Sequence, residues 1–198
     1  MDWDSIIHKD STNLNPKRGD LLISEPLLDE PFFKRSVVLL LEEDAEDGHI
    51  GLILNKKTSV TLQELFPEWE AAKGIPIYCG GPVESDRLFM LHNHPELFAD
   101  SLQIAPGIYV GAKIDDIMNY INNYPEKAEG IRFFLGYSGW SKDQLTSEIL
   151  GNTWALREVP ASNNLLSGYG NEYWRRVVES MGVDYKSWLI VPPDPSFN

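Results

Sequence analysis

The chain has 198 residues, of which 42% are hydrophobic and 24% are charged. These values are close to those of ordinary globular domains, so they exclude a disordered or fibrous protein and predict one soluble domain with a substantial core. Its 17 basic and 30 acidic residues give a formal net charge of -13, which repels polyanions at long range and argues against direct nucleic-acid binding.

The cellular location follows from three sequence features. The longest uninterrupted apolar run, Val37 to Leu41, is far shorter than the roughly 20 residues of a transmembrane helix. The first residues lack the pattern of a secretory signal. A single cysteine, Cys79, cannot form an intrachain disulfide and is typical of a reducing compartment. We therefore expect a cytoplasmic protein that does not contact a membrane.

The first half of the chain predicts an arm followed by a hairpin. Residues 1–18 are polar and aperiodic, which predicts an N-terminal arm before one domain at 19–190 and a tail at 191–198. A strand is predicted at 20–26, and the run SVVLLLEE predicts a second strand buried on both faces because its apolar residues do not alternate. Asp47-Gly48 is a turn signal, so 36–55 is predicted to be a hairpin. With its loop centred between residues 45 and 46, the numbers of any two residues that face each other across the strands add up to about 91.

This register predicts a polar edge at the open end of the hairpin. It places Ser36 opposite Asn55, with Arg35 beside them. The fork of an arginine side chain suits a carboxylate or phosphate. Together with the Gly80-Gly81 turn, which could present amides to an anion, these residues form a candidate ligand-binding site: Arg35, Ser36, Asn55, Gly80 and Gly81.

The rest of the chain mixes strands with single helices. Two short helices are predicted within 61–72, and longer ones at 115–123, 141–150 and 171–181. Strands are predicted at 75–79, 84–92, on both sides of Pro106-Gly107, at 131–137 and at 153–160. Because strands and helices do not alternate strictly, the order favours an α+β fold over a doubly wound sheet.

The stretch FLGYSGWSKDQL at 134–145 resembles a nucleophile elbow at first sight. Gly136 and Ser138 have the right spacing, but Trp140 occupies the position where the motif requires a second glycine. Ser141 and Gln144 instead form a capping box, which predicts that a helix starts after Ser141. We therefore expect a structural strand-to-helix connection that contains Gly136, Gly139, Trp140, Ser141 and Gln144, and no catalytic residue.

The histidine pair in HNHP is a weak candidate for a metal site. His92 and His94 would need further ligands, for which Glu96 and Asp100 are near in sequence, but no third histidine or cysteine has ligand spacing. We therefore predict no metal site. CGGP also lacks the Lys-Ser/Thr of a P-loop, and Cys79 follows an apolar run that is typical of a buried, inert thiol. No cofactor is predicted.

Six motifs in order resemble the AlgH/YqgE family of bacterial proteins. They are GDLLISEPLLDEPFFKRSVVLLLEED, GHIGLILNK, YCGGPVESDRLFMLH, GIYVGA, RFFLGYSGWSKDQLTSEILGNTW and the late tryptophan-containing helix. The resemblance implies a compact single α+β domain, with a mixed, mostly antiparallel bifurcated sheet curled into a pseudo-barrel and several flanking helices. It carries the label of transcriptional regulator, but neither a catalytic residue nor a cofactor.

Three functions remain open from the sequence. The favoured one is a regulatory protein that acts through protein partners rather than by direct DNA binding. The alternative is a protein that binds a small ligand or anion at Arg35, Ser36 and Asn55. The third is a hydrolase that uses Ser138 as nucleophile with His92 as base, which requires the two side chains to lie within hydrogen-bond reach.

Overall fold

The structure is a computed structural model that describes residues 15–44, 48–98 and 100–193. Its ten strands are β1 (Asp20–Ser24), β2 (Val37–Asp44), β3 (Gly48–Ile53), β4 (Lys57–Thr61), β5 (Pro76–Cys79), β6 (Val83–His92), β7 (Leu102–Ala105), β8 (Ile108–Val110), β9 (Ile131–Trp140) and β10 (Trp154–Glu158). The α-helices are α1 (Leu62–Leu65), α2 (Ile114–Asn123), α3 (Lys142–Leu150), α4 (Gly170–Ser180) and α5 (Lys186–Ile190). Short 3-10 segments lie at Glu70–Ala72, Pro125–Gly130 and Val183–Tyr185. The predicted α+β fold is confirmed.

Strand β9 is the junction of the sheet, whose main order is β10-β1-β2-β3-β9-β6-β8-β7. The end of β9 pairs with β3, through Ser138–Trp140. The middle of β9 pairs in parallel with β5, through Phe133–Leu135, and antiparallel with β6. Because β3 and β5 share β9, the sheet divides there and curls into a half-barrel, as the family resemblance implied.

The β2–β3 hairpin has the predicted register. Val38 faces Ile53, Leu39 faces Leu52 and Leu40 faces Gly51, and each of these pairs sums to 91. A bulge shifts the register between Leu40 and Glu42. The regular part of the hairpin is the part nearest its open end, where the predicted polar residues lie.

Strand β2 is buried on both faces, as its uninterrupted apolar run predicted. Val37 and Leu39 belong to one core cluster with Trp174 of α4, whereas Val38 and Leu40 belong to another with Leu145 of α3. A third cluster packs α2 against the other half of the sheet. Alternate side chains of β2 therefore pack on opposite faces of the sheet, one set against α4 and the other against α3.

Four details differ from the sequence predictions, the first of which is strand β4, which was not predicted. Strand β9 continues through Trp140 instead of ending near residue 137, so Ser138 lies inside a strand. Helix α5 follows α4 without having been predicted. Val191, the first residue of the predicted tail, is buried, so the packed chain extends past residue 190.

Parts of the predicted termini cannot be compared with the structure. Residues 1–14 of the predicted arm (1–18) lie outside the described residues, and so do residues 194–198 of the predicted tail (191–198). Within the described chain, no helix combines the length and the apolar character needed to cross a membrane.

Candidate functional site

Asn55 is the centre of the polar edge predicted at the open end of the hairpin. Its Oδ1 accepts a hydrogen bond from Val37 N at 3.0 Å, and its Nδ2 donates to Arg35 O at 2.9 Å and to Gly170 O at 3.0 Å. Gly170 N in turn donates to Asn55 O at 2.7 Å. The buried Asn55 amide therefore ties the end of the hairpin to the start of α4.

Arg35 is a buried cation in the same place. Its Nη1 donates to Asn171 Oδ1 at 3.0 Å and its Nη2 to Val191 O at 2.7 Å, while the guanidinium carbon lies 4.8 Å from the centre of the Trp174 ring. Burial, and then the positive charge of Arg175, lower the pKa of Arg35. No carboxylate within the described chain forms an ion pair with it. Carbonyl dipoles and an aromatic face stabilise this charge instead.

Ser36 lies between these two groups and is fully buried. Its backbone N donates to Ser24 Oγ at 2.9 Å. Within the described residues, Ser36 Oγ and Arg35 Nε are buried and have no hydrogen-bond partner. The structure thus brings Arg35, Ser36 and Asn55 together, as the register predicted, but surrounds them with protein. Their role in ligand binding stays a prediction.

The Gly80-Gly81 turn contacts β9 rather than the Arg35 group. Gly80 N donates to Leu135 O, and Gly80 O accepts from Ile53 N at 2.9 Å. A Cβ atom added at Gly81 would lie 2.3 Å from Tyr137 O. Glycine is required here because two backbones touch, and the described hydrogen bonds of Arg35 and Asn55 include neither glycine.

Ser138 and His92 do not form a nucleophile and base. The Ser138 hydroxyl is buried and donates to Gly80 O at 3.1 Å. His92 pairs with Ile131 at the opposite end of β9, and seven strand residues span roughly 20 Å. The hydrolase hypothesis is wrong for this pair because β6 and β9 hold the two residues at separate places along the sheet.

The two histidines of HNHP bind protein groups. His92 Nδ1 accepts from His94 N at 3.1 Å, and His92 Nε2 lies 3.2 Å from Gly111 O. Burial is the main cause that lowers the pKa of His92. Asp100 pairs with Lys113 at 2.6 Å. In the described part of the chain, no group of three metal-ligating side chains comes together.

The strand-to-helix connection is built as a cluster of aromatic rings around one carboxylate. Glu148 Oε2 accepts from Trp140 Nε1 at 2.9 Å and from Trp154 Nε1 at 2.7 Å, and Glu148 Oε1 accepts from Gln144 Nε2 at 2.9 Å. Ser141 N donates to Gln144 Oε1, which confirms the capping box. Gln144, Trp140 and Gly139 line a cavity of about 450 Å³. The stretch FLGYSGWSKDQL therefore serves to pack β9 against α3.

A second buried arginine, Arg132, is the functional candidate that the sequence analysis missed. It lies in β9 and lines a cavity of about 530 Å³ together with Tyr78 and Tyr169. The available signal was a charged residue inside the otherwise apolar strand IRFFLGY. Such a residue is rarely buried without a partner.

Comparisons with known proteins agree with this architecture. The family model described as DUF179, AlgH-like, matches residues 21–186. A UPF0301 protein of Parabacteroides distasonis is 41% identical over 195 residues, which cover 98% of this chain and 96% of that protein. A UPF0301 protein of Bacteroides thetaiotaomicron is 38% identical and is matched over the full length of both chains.

Two solved structures share the fold. The solution structure of the AlgH protein from Pseudomonas aeruginosa has a TM-score of 0.67 at 24% identity and covers 93% of this chain and 97% of its own. The crystal structure of protein DIP2367 from Corynebacterium diphtheriae has a TM-score of 0.69 at 20% identity, with coverages of 88% and 92%. The chain therefore belongs to the AlgH-like (UPF0301) family, also called AlgH/YqgE.

Proposed function

We propose that this protein is a cytoplasmic regulatory protein that acts through a protein partner and does not bind DNA directly. The observation that supports this proposal is the use the fold makes of its basic residues. The sequence contains four basic pairs: Lys17-Arg18, whose lysine forms an ion pair with Glu158 at 2.7 Å, and then Lys34-Arg35, Lys56-Lys57 and Arg175-Arg176. Both cations of each of the last three pairs contact groups of the chain itself.

Of these three pairs, the first two, Lys34-Arg35 and Lys56-Lys57, belong to the open end of the hairpin. Arg35 is buried, and Lys34 pairs with Asp29 at 3.3 Å. Lys56 Nζ donates to Lys34 O at 2.5 Å, and burial lowers the pKa of Lys56. Lys57 Nζ lies 5.0 Å from the centre of the Tyr169 ring. These cations hold turns and loops in place.

The third pair does the same for the segments around α4. Arg175 Nη1 donates to Leu189 O at 2.9 Å, and Arg176 Nη2 donates to Ser167 O at 2.7 Å. A DNA-binding face needs several basic side chains that are free to neutralise phosphates. On a chain of net charge -13, engaged cations favour a partner with a basic surface over a polyanion.

The DNA part of the proposal can be tested by fluorescence anisotropy. We expect no saturable binding of a labelled 30-base-pair duplex at 50 or 150 mM salt. A matched variant, Arg175→Glu with Arg176→Glu, should leave the anisotropy unchanged. Saturable binding that weakens steeply with salt and is lost in this variant would overturn the proposal.

The partner part needs a test in living cells. A photo-crosslinking residue placed at the exposed Asp116 of α2 or the exposed Glu172 of α4 should give at least one discrete protein adduct. A Glu172→Lys change should reduce the adduct if opposite charge selects the partner. Adducts to nucleic acid alone would contradict the proposal.

Anion binding at Arg35 is the second candidate, favoured by the two buried atoms that lack partners in the described chain, Arg35 Nε and Ser36 Oγ. If an oxyanion binds there, phosphate should raise the melting temperature above its value in chloride at equal ionic strength. Ser36→Ala should remove that difference, while Ser180→Ala, at an exposed serine, should keep it. An equal melting temperature in both salts would refute this candidate.

A further inference from the structure

Arg132 carries a positive charge into the interior of the sheet. Only 4% of its surface is exposed, and its neighbours in β9, Ile131 and Phe133, are buried. Among the described residues, no aspartate or glutamate forms an ion pair with it. A buried charge is unfavourable unless another charge or a set of hydrogen bonds stabilises it.

The protein provides partial stabilisation only. Arg132 Nη1 donates to Leu54 O at 2.7 Å, Nη2 donates to Gly168 O at 3.0 Å, and the guanidinium carbon lies 4.1 Å from the centre of the Tyr78 ring. Each Nη atom carries two N–H groups, so these two bonds leave donors for a ligand. The neighbouring Tyr173 supplies no counter-charge, because a phenol is neutral at physiological pH and burial raises its pKa further. The contacts position the guanidinium without neutralising it.

Arg132 lines a cavity that is open to solvent, where Lys73 and Glu129 are exposed. The cavity measures about 530 Å³, and its lining residues come from the segments 73–76, 128–132 and 166–169 and from Tyr78. Its charged lining residues are Arg132, Lys73 and Glu129, two cations against one carboxylate. A cavity with excess positive charge is unexpected on a chain whose net charge is -13.

We propose that this cavity binds a small organic anion. The carboxylate or phosphate of the ligand is received by Arg132 and attracted by Lys73, and its apolar part lies against Ile75, Pro76 and Leu166. The volume is within the range of small-molecule sites, roughly 300–1,000 Å³. A guanidinium held in place by two carbonyls is preorganised for an oxyanion, because little side-chain freedom remains to be lost on binding.

Benzoate and phenyl phosphate are the probes for this site, with benzamide as their neutral counterpart. In an NMR titration of the full chain, we expect saturable shifts of the Gly74 and Gly168 amides and of Arg132 Nε–H with one or both anions. Benzamide should cause much smaller shifts. The stronger of the two anions identifies whether the site prefers a carboxylate or a phosphate.

Two exposed lysines provide a matched pair of charge reversals. Lys73→Glu, at the rim, should weaken binding of the preferred anion roughly fivefold by Coulombic repulsion. Lys186→Glu, in α5 and outside the cavity lining, changes the net charge equally and should leave the affinity unchanged. The comparison does not depend on altering a buried residue.

Arg132→Lys tests the guanidinium itself, with Arg157→Lys as its control. Arg157 also stacks on a tyrosine and donates to a carbonyl, but it is exposed. We expect at least tenfold weaker binding for Arg132→Lys and no change for Arg157→Lys. If Arg132→Lys does not fold, the lysine pair decides. The proposal is overturned if neither anion gives saturable shifts, if benzamide binds equally well, or if both lysine reversals weaken binding alike.

Discussion

The Asn55 side chain donates a hydrogen bond to the main-chain carbonyl of Arg35, 2.9 Å away, next to the point where β2 begins. Arg35 has a φ of 48°, a left-handed conformation that is uncommon for a residue with a side chain. The amide of Asn55 thus holds a strained residue while it also binds Val37 and Gly170. Two chain segments far apart in sequence depend on one side chain.

We therefore expect Asn55→Ala to destabilise the protein by about 3 kcal/mol, because buried backbone groups lose their partners. Urea unfolding would measure the change. Asn123→Ala is a suitable control, because the amide of Asn123 makes an exposed bond to Asn119 O. It should cost less than about 0.5 kcal/mol. Equal losses in the two variants would contradict a special role for Asn55.

Glu148 links two tryptophans, so its replacement should be detected by stability and by fluorescence together. In Glu148→Gln, the amide NH₂ group meets donors where the carboxylate accepted three hydrogen bonds. We expect a loss of about 1–2 kcal/mol in unfolding free energy and a changed tryptophan emission spectrum. Glu179→Gln, at an exposed position of α4, should change neither. An unaltered Glu148→Gln protein would show that the indole N–H groups find other acceptors.

Gly136 and Gly107 have nearly the same backbone conformation but different surroundings. Replacing each by alanine therefore distinguishes the cost of a left-handed backbone from the cost of a steric clash. Gly136 has a φ of +69° and a Cβ there would lie 2.5 Å from Gly81 O, whereas Gly107 has a φ of +68° and no atom within 4 Å of such a Cβ. Gly107→Ala should cost about 1–2 kcal/mol from conformation alone. Gly136→Ala should cost clearly more or prevent folding, as measured by thermal unfolding. Similar costs would mean that the turn against β9 can shift.

The pH dependence of stability should contain a contribution from His92. Its pKa is lowered in the folded protein, mainly by burial, so the unfolded chain takes up the proton first as the pH falls below about 6.5. The stability due to neutral His92 is therefore complete above that pH and is lost progressively toward the lower folded pKa. Protonation of Nδ1 would also break its bond from His94 N.

Comparison with His92→Gln isolates this contribution, because the carboxylates titrate in both proteins. We expect the unfolding free energy of the original protein to fall more between pH 7.5 and pH 5.5 than that of the variant. Urea unfolding at both pH values measures the difference. Parallel losses would show that His92 takes up its proton equally well in the folded and unfolded chains.

Local patterns in the sequence determined most of the fold. The register of the hairpin followed from the position of one turn. In an antiparallel pair, the numbers of facing residues add up to the same value along both strands until a bulge shifts the pairing. The capping box at Ser141 and Gln144 placed the start of α3, because its hydrogen bonds join residues three apart. The burial of β2 on both faces followed from its unbroken apolar run.

The candidate site was predicted less completely. The register correctly predicted that Arg35 and Asn55 meet, but only the structure showed that α4 and the segment at Val191 cover them. Likewise, the sequence placed a serine between glycines at 138, but the pairing of β3 with β9 decided that Ser138 lies inside a strand. These contacts join residues far apart in the chain, and no local pattern specifies them.

The sequence by itself determined most of the strands and helices, the hairpin register and the family resemblance. Only the tertiary structure decided which charges are buried and which are engaged by the fold. Arg132 shows the reason: its carbonyl partners lie 78 and 36 residues away along the chain. A local pattern records what a residue is, whereas the packing of distant segments decides which groups surround it and what it can bind.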